Sequence, residues 1–346
     1  MKKQYNVLAL IGRFQGPHKA HFELLERAGK LADLVIVIIG SADTPRSPKN
    51  PWTADERIDM LSPEIQRLST FTDADFILDR NIDTKYDDDG WVARIQTVVD
   101  NHSKPGDRIG LIGHKKDIET KRYLEMFPQW EEVGVELVEV LDATQIRDLY
   151  FSDKFNPNFL TGVMPQSVIA FMMQFRETEH FNYIMAEKKC IADRKKPYEQ
   201  LPYPMVAVTV DAVVTQSGHI LLIKRRASPG KGLWALPGGY FDAAKDDTPT
   251  DGILRELEEE TKIDVPAKVL RGSIKRIETF SDKDRSQLGR SITFAAHIPL
   301  TGGEWKLPKV KGSDDAEKAK WVPFVDVKRE MLFDDHFDII SHFVKF

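Results

Sequence analysis

Leu34-Val35-Ile36-Val37-Ile38-Ile39 is an unbroken apolar run in which every residue after the first is β-branched. A strand with one wet face alternates apolar with polar; this one does not, so it is expected to be buried on both faces inside a sheet covered by helices. The flanking sequence keeps that rhythm. Tyr5 to Ile11 is β-rich and ends at Gly12, and His18 to Lys30 follows with helical spacing of Phe22, Leu25 and Ala28. Pro51 to Arg57 opens another helix with Thr53 as its N-cap. A strand at Phe76–Leu78, a helix from Trp91 and strands at Arg108–Ile112 and near Val135–Val140 continue the alternation. The expected fold is α/β, a Rossmann-like parallel sheet wrapped by helices.

At 346 residues the chain is too long for one ordinary domain of about 150 residues. Amphipathic helical segments from Pro165 to about Ala186 close the first half. Asp193 to Pro204 carries three prolines and mixed charge, as a linker does. Beyond it, Val206–Val214 and His219–Lys224 form two strands around the hairpin signal Gln216-Ser217-Gly218. One strong helix, Pro249–Thr261, interrupts further strands such as Ser291–His297, so the second half is expected to be α+β with a mixed sheet. The expected organisation is a domain over 1–186, a linker over 187–204 and a second domain over 205–346. With 41% hydrophobic and 30% charged residues, each half can bury a core, which excludes a disordered chain. A formal charge of −5 implies no broad basic face, so neither nucleic acid nor an anionic membrane is expected as a main partner. The single cysteine, Cys190, excludes an intramolecular disulfide and fits a reducing compartment. The expected location is the cytoplasm, because no apolar stretch is long enough to span a bilayer and no signal-peptide pattern opens the chain.

Two constellations carry chemistry. The first is Gly12-Arg13-Phe14-Gln15-Gly16-Pro17-His18-Lys19-Ala20-His21, where the first strand gives way to the first helix. Free N–H groups at a helix start favour phosphate, and His18 and His21, three apart, share a helix face. With Arg13 they would hold a triphosphate and stabilise a departing pyrophosphate. On the histidine pair alone, a plain helix start with surface histidines stays open. A second arrangement at the same sheet edge, Leu141 to Arg147, adds Thr144 near a helix start and Arg147 three residues on.

The second constellation is Leu236-Pro237-Gly238-Gly239, a polar loop, then Arg255-Glu256-Leu257-Glu258-Glu259-Glu260. Glu256, Glu259 and Glu260 stand at i, i+3 and i+4 on one helix face. Converging carboxylates repel unless a cation joins them, and hard oxygen donors suit Mg²⁺ or Mn²⁺. Arg255 could orient one of them. A solvated acidic helix is the alternative.

These motifs resemble known families. The His18/His21 and Thr144/Arg147 segments are similar to the two signature motifs of the nucleotidylyltransferase superfamily. Gly12–Gln15, Lys49–Arg57, Gly113–Asp117 and Tyr123–Trp130 resemble the archaeal-type nicotinamide mononucleotide adenylyltransferases. That resemblance implies transfer of AMP from ATP to nicotinamide mononucleotide, giving NAD and pyrophosphate with Mg²⁺ (or Mn²⁺), with His18, His21 and Arg147 catalytic. It implies ATP contacts from Gly12, Arg13, Phe14, Gln15, His18, His21, Lys115, Asp117, Thr144, Ile146 and Arg147, and mononucleotide contacts from Asn50, Arg57 and Trp91. Trp91 would stack on the nicotinamide ring or be a core tryptophan; Arg57 would touch phosphate or ribose, or make a surface ion pair. The proline usual after the glutamine is displaced to Pro17, and Asp142 stands where serine is common.

The second constellation resembles the Nudix box, and the runs at 225–234, 280–290 and 311–316 are similar to ADP-ribose pyrophosphatases fused to adenylyltransferases. This implies hydrolysis of ADP-ribose to AMP and ribose 5-phosphate. Glu256, Glu259 and Glu260 would be metal ligands, Arg255 their organiser, and Gly238, Gly239, Arg285 and Arg290 would contact ADP-ribose. Solvent-exposed basic residues are the alternative for the two arginines, and Glu278, Asp282 and Asp284 are unranked candidates for general base. Asp247 occupies the position of a box glutamate, the loop from Gly239 runs about two residues longer than the usual spacing, and Lys262 replaces its late glycine. A second half that senses ADP-ribose or NAD without cleaving it, one acting on another nucleoside diphosphate, and a first half using another phosphate acceptor all remain open. So does a homo-oligomer, since hexamers and dimers occur among relatives of the two halves.

Overall fold

The computed structural model describes residues 3–114, 125–136, 142–301, 306–312 and 316–345. The chain divides into two compact units, Met1–Met185 and Ala186–Phe346. In the first, β1 (Tyr5–Gly12), α1 (Lys19–Leu31), β2 (Ala32–Ile39), α2 (Ala54–Thr72), β3 (Asp75–Arg80), α3 (Asp88–Asp100), β4 (Ile109–His114) and β5 (Glu131–Val135) alternate; α4 (Ala143–Tyr150) and α5 (Gln166–Phe175) follow, and α6 (Glu179–Lys195) begins in this unit and carries the chain into the second. The sheet order is β3-β2-β1-β4-β5, parallel throughout. Strand order reverses between β1 and β4, and the crevice beyond their carboxyl ends is where such a sheet binds ligands.

The apolar run sits in β2. Val35, Val37 and Ile39 join Leu8 and Leu10 in one core, beside residues of α1 and α2. Their neighbours Ile36 and Ile38 join Val7, Ala9, Ile95 and Val99 on the opposite face. A period-two strand thus supplies both cores at once. The last strand begins earlier than the expected Val135–Val140, because β5 is a sheet edge: Glu131 and Glu132 are exposed, so no apolar run marks it. Residues 137–141 lie outside the described residues.

Helix α2 starts as its sequence suggests. Thr53 Oγ1 accepts from the Glu56 amide, and the Glu56 carboxylate accepts from the Thr53 amide at 2.8 Å. Arg46 adds a two-pronged pair to Glu56 at 2.6 and 2.8 Å. Burial alone would raise the Glu56 carboxyl, but Arg46 and Thr53 outweigh it and hold it below its ordinary 4.5. A carboxyl depressed by folding stabilises fully above its unfolded value and loses that contribution as pH falls through the folded one. Glu56→Gln is therefore expected to cost about 1.5 kcal/mol at neutral pH. The difference should shrink in strong acid, as paired urea melts of parent and variant would read.

Part of the expected linker is helix. α6 continues to Lys195, because Glu187, 1% exposed, accepts from the Gly230 amide at 2.7 Å and the Cys190 thiol donates to the Ser228 carbonyl. Pro197 has no N–H to continue the α-helical ladder, and the helix gives way to a 3-10 turn over Lys196–Tyr198.

The second unit contains β6 (Ala207–Gln216), β7 (His219–Arg225), β8 (Trp234–Ala235), β9 (Gly238–Tyr240), α7 (Pro249–Thr261), α8 (Ala267–Gly272), β10 (Arg276–Phe280), β11 (Ser291–Pro299), β12 (Ala316–Pro323) and α9 (His336–Phe343). Its sheet runs β10-β11-β6-β7-β12, with β8 on β7 and β9 on β6. Only β11 with β6 is parallel among these described pairs, so the sheet is mixed. The β6–β7 turn places Ser217 and Gly218 at φ 49° and 75°, the twist a tight hairpin needs. Helix α7 packs Ile253, Leu254 and Leu257 on Val210, Ala212 and Val214. Across the sheet, Phe343 of α9 meets Phe280 and His297. Among the described residues, no helix is long and apolar enough to cross a membrane.

Candidate active sites

The β1–α1 turn gathers the first site. Gly16 takes φ +86°, a conformation costly for any L side chain, and so lets the chain turn towards the start of α1. His18 is the α1 N-cap and only 4% exposed. Its ring centroid lies 4.0 Å from that of His21, and its amide donates to His21 Nδ1 at 3.2 Å. A neutral His21 ring therefore carries its proton on Nε2, as a donor suited to phosphate. Phe14 is buried and packs against His21, with centroids 5.1 Å apart.

Arg147 enters from α4. It is 6% exposed, and its guanidinium donates to the Gln15 carbonyl and to Thr144 Oγ1, each at 3.1 Å. Burial and then the nearby charge of Arg13 bring it down to about 10. Two guanidiniums that repel each other beside a helix start are chemically suited to a polyanion. Asp142 is the α4 N-cap, its carboxylate accepting from the Thr144 and Gln145 amides at 2.8 Å. Those two amides are taken up by the cap and are not open to a ligand.

Trp91 is half-buried at the start of α3, against Phe127, and its Nε1 donates to Asp83 Oδ1 at 3.3 Å. Asp83 also accepts from Ser41 Oγ, tying the loops after β2 and β3 together at the carboxyl edge. Sequence reasoning missed Asp83; the available signal was a short acidic loop between a strand and the Trp91 helix.

Several residues expected to contact ligands have structural partners within the fold. Arg57 is 0% exposed and donates to the carbonyls of Thr53, Arg13, Gly40 and Ser41, stapling α2 to the ends of β1 and β2. It makes neither a surface ion pair nor an open contact, because those carbonyls end two neighbouring strands and need donors. Arg57→Met is expected to cost the first unit about 3 kcal/mol by orphaning them, visible as a lower urea midpoint. The Gln15 amide is spent on the main chain of Trp52, donating at 2.9 Å and accepting at 3.1 Å. The Ile146 side chain lies wholly in the core. Asn50 closes a turn with Ser47, and its Oδ1 is buried without a hydrogen-bond partner. Arg13 is exposed at the mouth of the turn, behind Gly12. Lys115 and Asp117 lie outside the described residues.

The second site is built on α7. Arg255 sits at its centre, donating to Asp246 at 2.7 and 2.8 Å, to Glu256 at 2.8 Å and to Glu259 at 3.1 Å. Glu260 is 6% exposed and accepts from the Gly238 amide at 2.9 Å. Burial first, and Glu256 beside it, raise Glu260 to about 8; burial also raises Glu256. The glycines are needed for close approach. A Cβ on Gly239 would stand 2.7 Å from Glu256 Oε1, and one on Gly238 2.2 Å from the Val210 carbonyl and 2.6 Å from Asp211 Oδ1.

The carboxylate paired with Arg255 is Asp246, buried, rather than Asp247, which is exposed. Thr248, directly after this pair of aspartates, caps α7. Among the described residues no three His, Cys, Asp or Glu side chains already converge as a metal cage. Arg255 holds two of the glutamates and Gly238 the third. The donor set nonetheless fits a hard divalent cation: oxygen ligands on one helix face, with a buried glutamate whose ionisation a positive charge would favour.

Arg285 is not a surface contact. It is 5% exposed and donates to both Asp335 oxygens, at 3.0 and 3.1 Å, and to Ser291 Oγ. A buried cation must be paired, and Asp335 at the entry to α9 is the pair. Arg290 is exposed and closes its own loop on the Ser281 carbonyl. Of the general-base candidates, Glu278 is engaged by Arg276 and His342, Asp282 caps the Asp284 amide, and Asp284 is exposed. Asp211 was missed; a lone carboxylate inside the apolar strand Val208–Val214 was its signal.

Comparison with known proteins agrees with this geometry. Residues 9–135 match the cytidylyltransferase-like family and residues 205–343 the NUDIX domain. The nicotinamide/nicotinic acid mononucleotide adenylyltransferase of Acinetobacter baylyi is 33% identical over 187 residues, 52% of this chain and 92% of that protein. The ADP-ribose pyrophosphatase of Methanocaldococcus jannaschii is 33% identical over 159 residues, 46% of this chain and 84% of that one. A crystal structure of a bifunctional NMN adenylyltransferase/ADP ribose pyrophosphatase from Francisella tularensis, complexed with AMP and a Mn ion, is 27% identical, covers 98% of both chains and superposes with a TM-score of 0.86. The fold and sites thus define a nucleotidylyltransferase joined to a Nudix hydrolase. The chain belongs to the mononucleotide adenylyltransferases in its first unit and to the Nudix ADP-ribose pyrophosphatases in its second.

Proposed function

We propose that the protein is bifunctional. Its first unit transfers AMP from ATP to nicotinamide mononucleotide, releasing pyrophosphate and NAD; its second hydrolyses ADP-ribose to AMP and ribose 5-phosphate. The carrying observation is the pairing, in one chain, of the His18–His21–Arg147 cluster at a topological switch point with the Arg255-centred carboxylate helix. The mononucleotide phosphate is itself the attacking group, so the first unit needs no nucleophile. Positioning and charge stabilisation suffice: Arg13 and Arg147 bind the polyphosphate, the histidines donate to the leaving pyrophosphate, and Trp91, held by Asp83, offers the nicotinamide ring a face.

In the second unit Glu256, Glu259 and Glu260 would hold a divalent cation, Mg²⁺ or Mn²⁺. When bound, that ion supplies charge neutralisation and water activation at the diphosphate. Arg255 keeps the carboxylates in register, and Gly238 and Gly239 let the main chain pass close over them. Chromatography of ATP with nicotinamide mononucleotide, and of ADP-ribose, each incubated with protein and Mg²⁺, tests both halves. NAD from the first and AMP from the second are the expected products; surviving substrate refutes the corresponding half. Faster turnover of a flavin or pantetheine phosphate would reassign the acceptor. EDTA is expected to stop ADP-ribose hydrolysis, and added Mg²⁺ to restore it, as AMP release would show.

A further inference from the structure

Three consecutive residues at the entry to α9 reach two other parts of the second unit. Asp334 accepts from Gln287 Nε2 at 3.0 Å, and Asp335 takes the two-pronged pair from Arg285. Both partners lie in the loop joining β10 to β11. His336 Nδ1 accepts from the Leu236 amide at 2.8 Å, and the Phe333 amide donates to the Trp234 carbonyl at 2.8 Å. Two residues beyond Leu236 is Gly238, whose amide is bonded to Glu260. Asp211 lies beneath that glycine, bonded to Thr293 at 2.5 Å and 4.0 Å from both Arg285 and His336. Asp335 is 0%, Asp211 and Arg285 5%, and His336 8% exposed.

Buried ion pairs add little net stability compared with apolar packing, so stability alone does not account for such a cluster beside a catalytic loop. A bidentate arginine–carboxylate pair does fix geometry. Burial holds the His336 ring neutral, at about 3, and a neutral ring can accept the Leu236 proton.

We propose that Asp335 and His336, clamped by Arg285, are positioning residues for ADP-ribose hydrolysis, holding Leu236–Gly239 and through Gly238 the Glu260 carboxylate in place. The β10–β11 loop, which the sequence marks as a substrate segment, is thereby mechanically joined to the carboxylate helix. The inference rests on the hydrolase reading of this unit.

The test compares His336→Leu with His336→Asn, whose side-chain oxygen can replace Nδ1 as acceptor, and adds Arg285→Met. His336→Leu and Arg285→Met are expected to lower kcat for ADP-ribose about tenfold or more while KM stays within about threefold. Amide exchange at Leu236 and Gly238 should quicken in both, with β11 still protected. His336→Asn is expected to restore kcat and protection. A raised KM with kcat intact in Arg285→Met would make Arg285 a direct substrate contact and overturn the proposal. So would an unchanged kcat in His336→Leu, or failure of His336→Asn to rescue. Should His336→Leu not fold, Arg285→Lys, which keeps the charge but loses the fork, carries the same expectations. If the parent protein leaves ADP-ribose intact, the hydrolase reading falls, and amide exchange alone decides the junction: unaltered protection in the variants refutes it.

Discussion

His21→Ala is expected to cut NAD synthesis by about 10²–10³-fold while ADP-ribose hydrolysis proceeds at the parental rate. The imidazole is placed by an acceptor contact from the His18 amide and by packing on Phe14, so its loss removes a donor without opening the core. The step it serves separates pyrophosphate from AMP, and a donor aimed at developing charge contributes in the transition state more than in the bound substrate. The expected signature is a fall in kcat larger than any rise in KM for ATP, read from initial rates of NAD formation. An equal loss in both activities would mean that the histidine pair supports the fold of the whole chain rather than one reaction.

The second large effect is expected from Glu260→Gln. Glutamine keeps an acceptor for the Gly238 amide and nearly the same volume, so the variant isolates the charge. ADP-ribose hydrolysis should fall by about 10³-fold, with NAD synthesis untouched. Because burial opposes ionisation of Glu260, the neutral variant should melt no lower than the parent in metal-free buffer. A variant that melts much lower would mark Glu260 as a structural support of the β9 loop, and one that hydrolyses at the parental rate would remove it from the metal set.

Much of this was legible in the sequence, for reasons that differ by residue. The β2 run declared a doubly covered strand because composition alone forbids a wet face, and Thr53 with Glu56 marked a helix start because capping is local chemistry. His18 meets His21 through the capping geometry at the start of α1, and helical periodicity puts Glu256, Glu259 and Glu260 on one face of α7, both without help from distant chain. What spacing could not reveal was where a side chain's partner lies. Arg57 and Gln15 read as ligand contacts, yet both are spent on carbonyls and amides supplied by residues far along the chain. Arg285 read as an ADP-ribose contact, or else a solvent-exposed cation, because Asp335 lies fifty residues away in sequence. Asp246 and Asp247 differ by one position, and spacing from Arg255 does not say which of them meets it.

The two box glycines have a genetic consequence. No side chain can be added at Gly238 without driving into the Val210 carbonyl and Asp211, or at Gly239 without striking Glu256. Any missense change there damages the hydrolytic unit at a place with no counterpart in the unit that assembles the dinucleotide. Such alleles would be separation-of-function alleles: a cell carrying one would keep making the cofactor while losing a means of clearing its degradation product. Selection could then weigh the two activities independently, although a single reading frame encodes them.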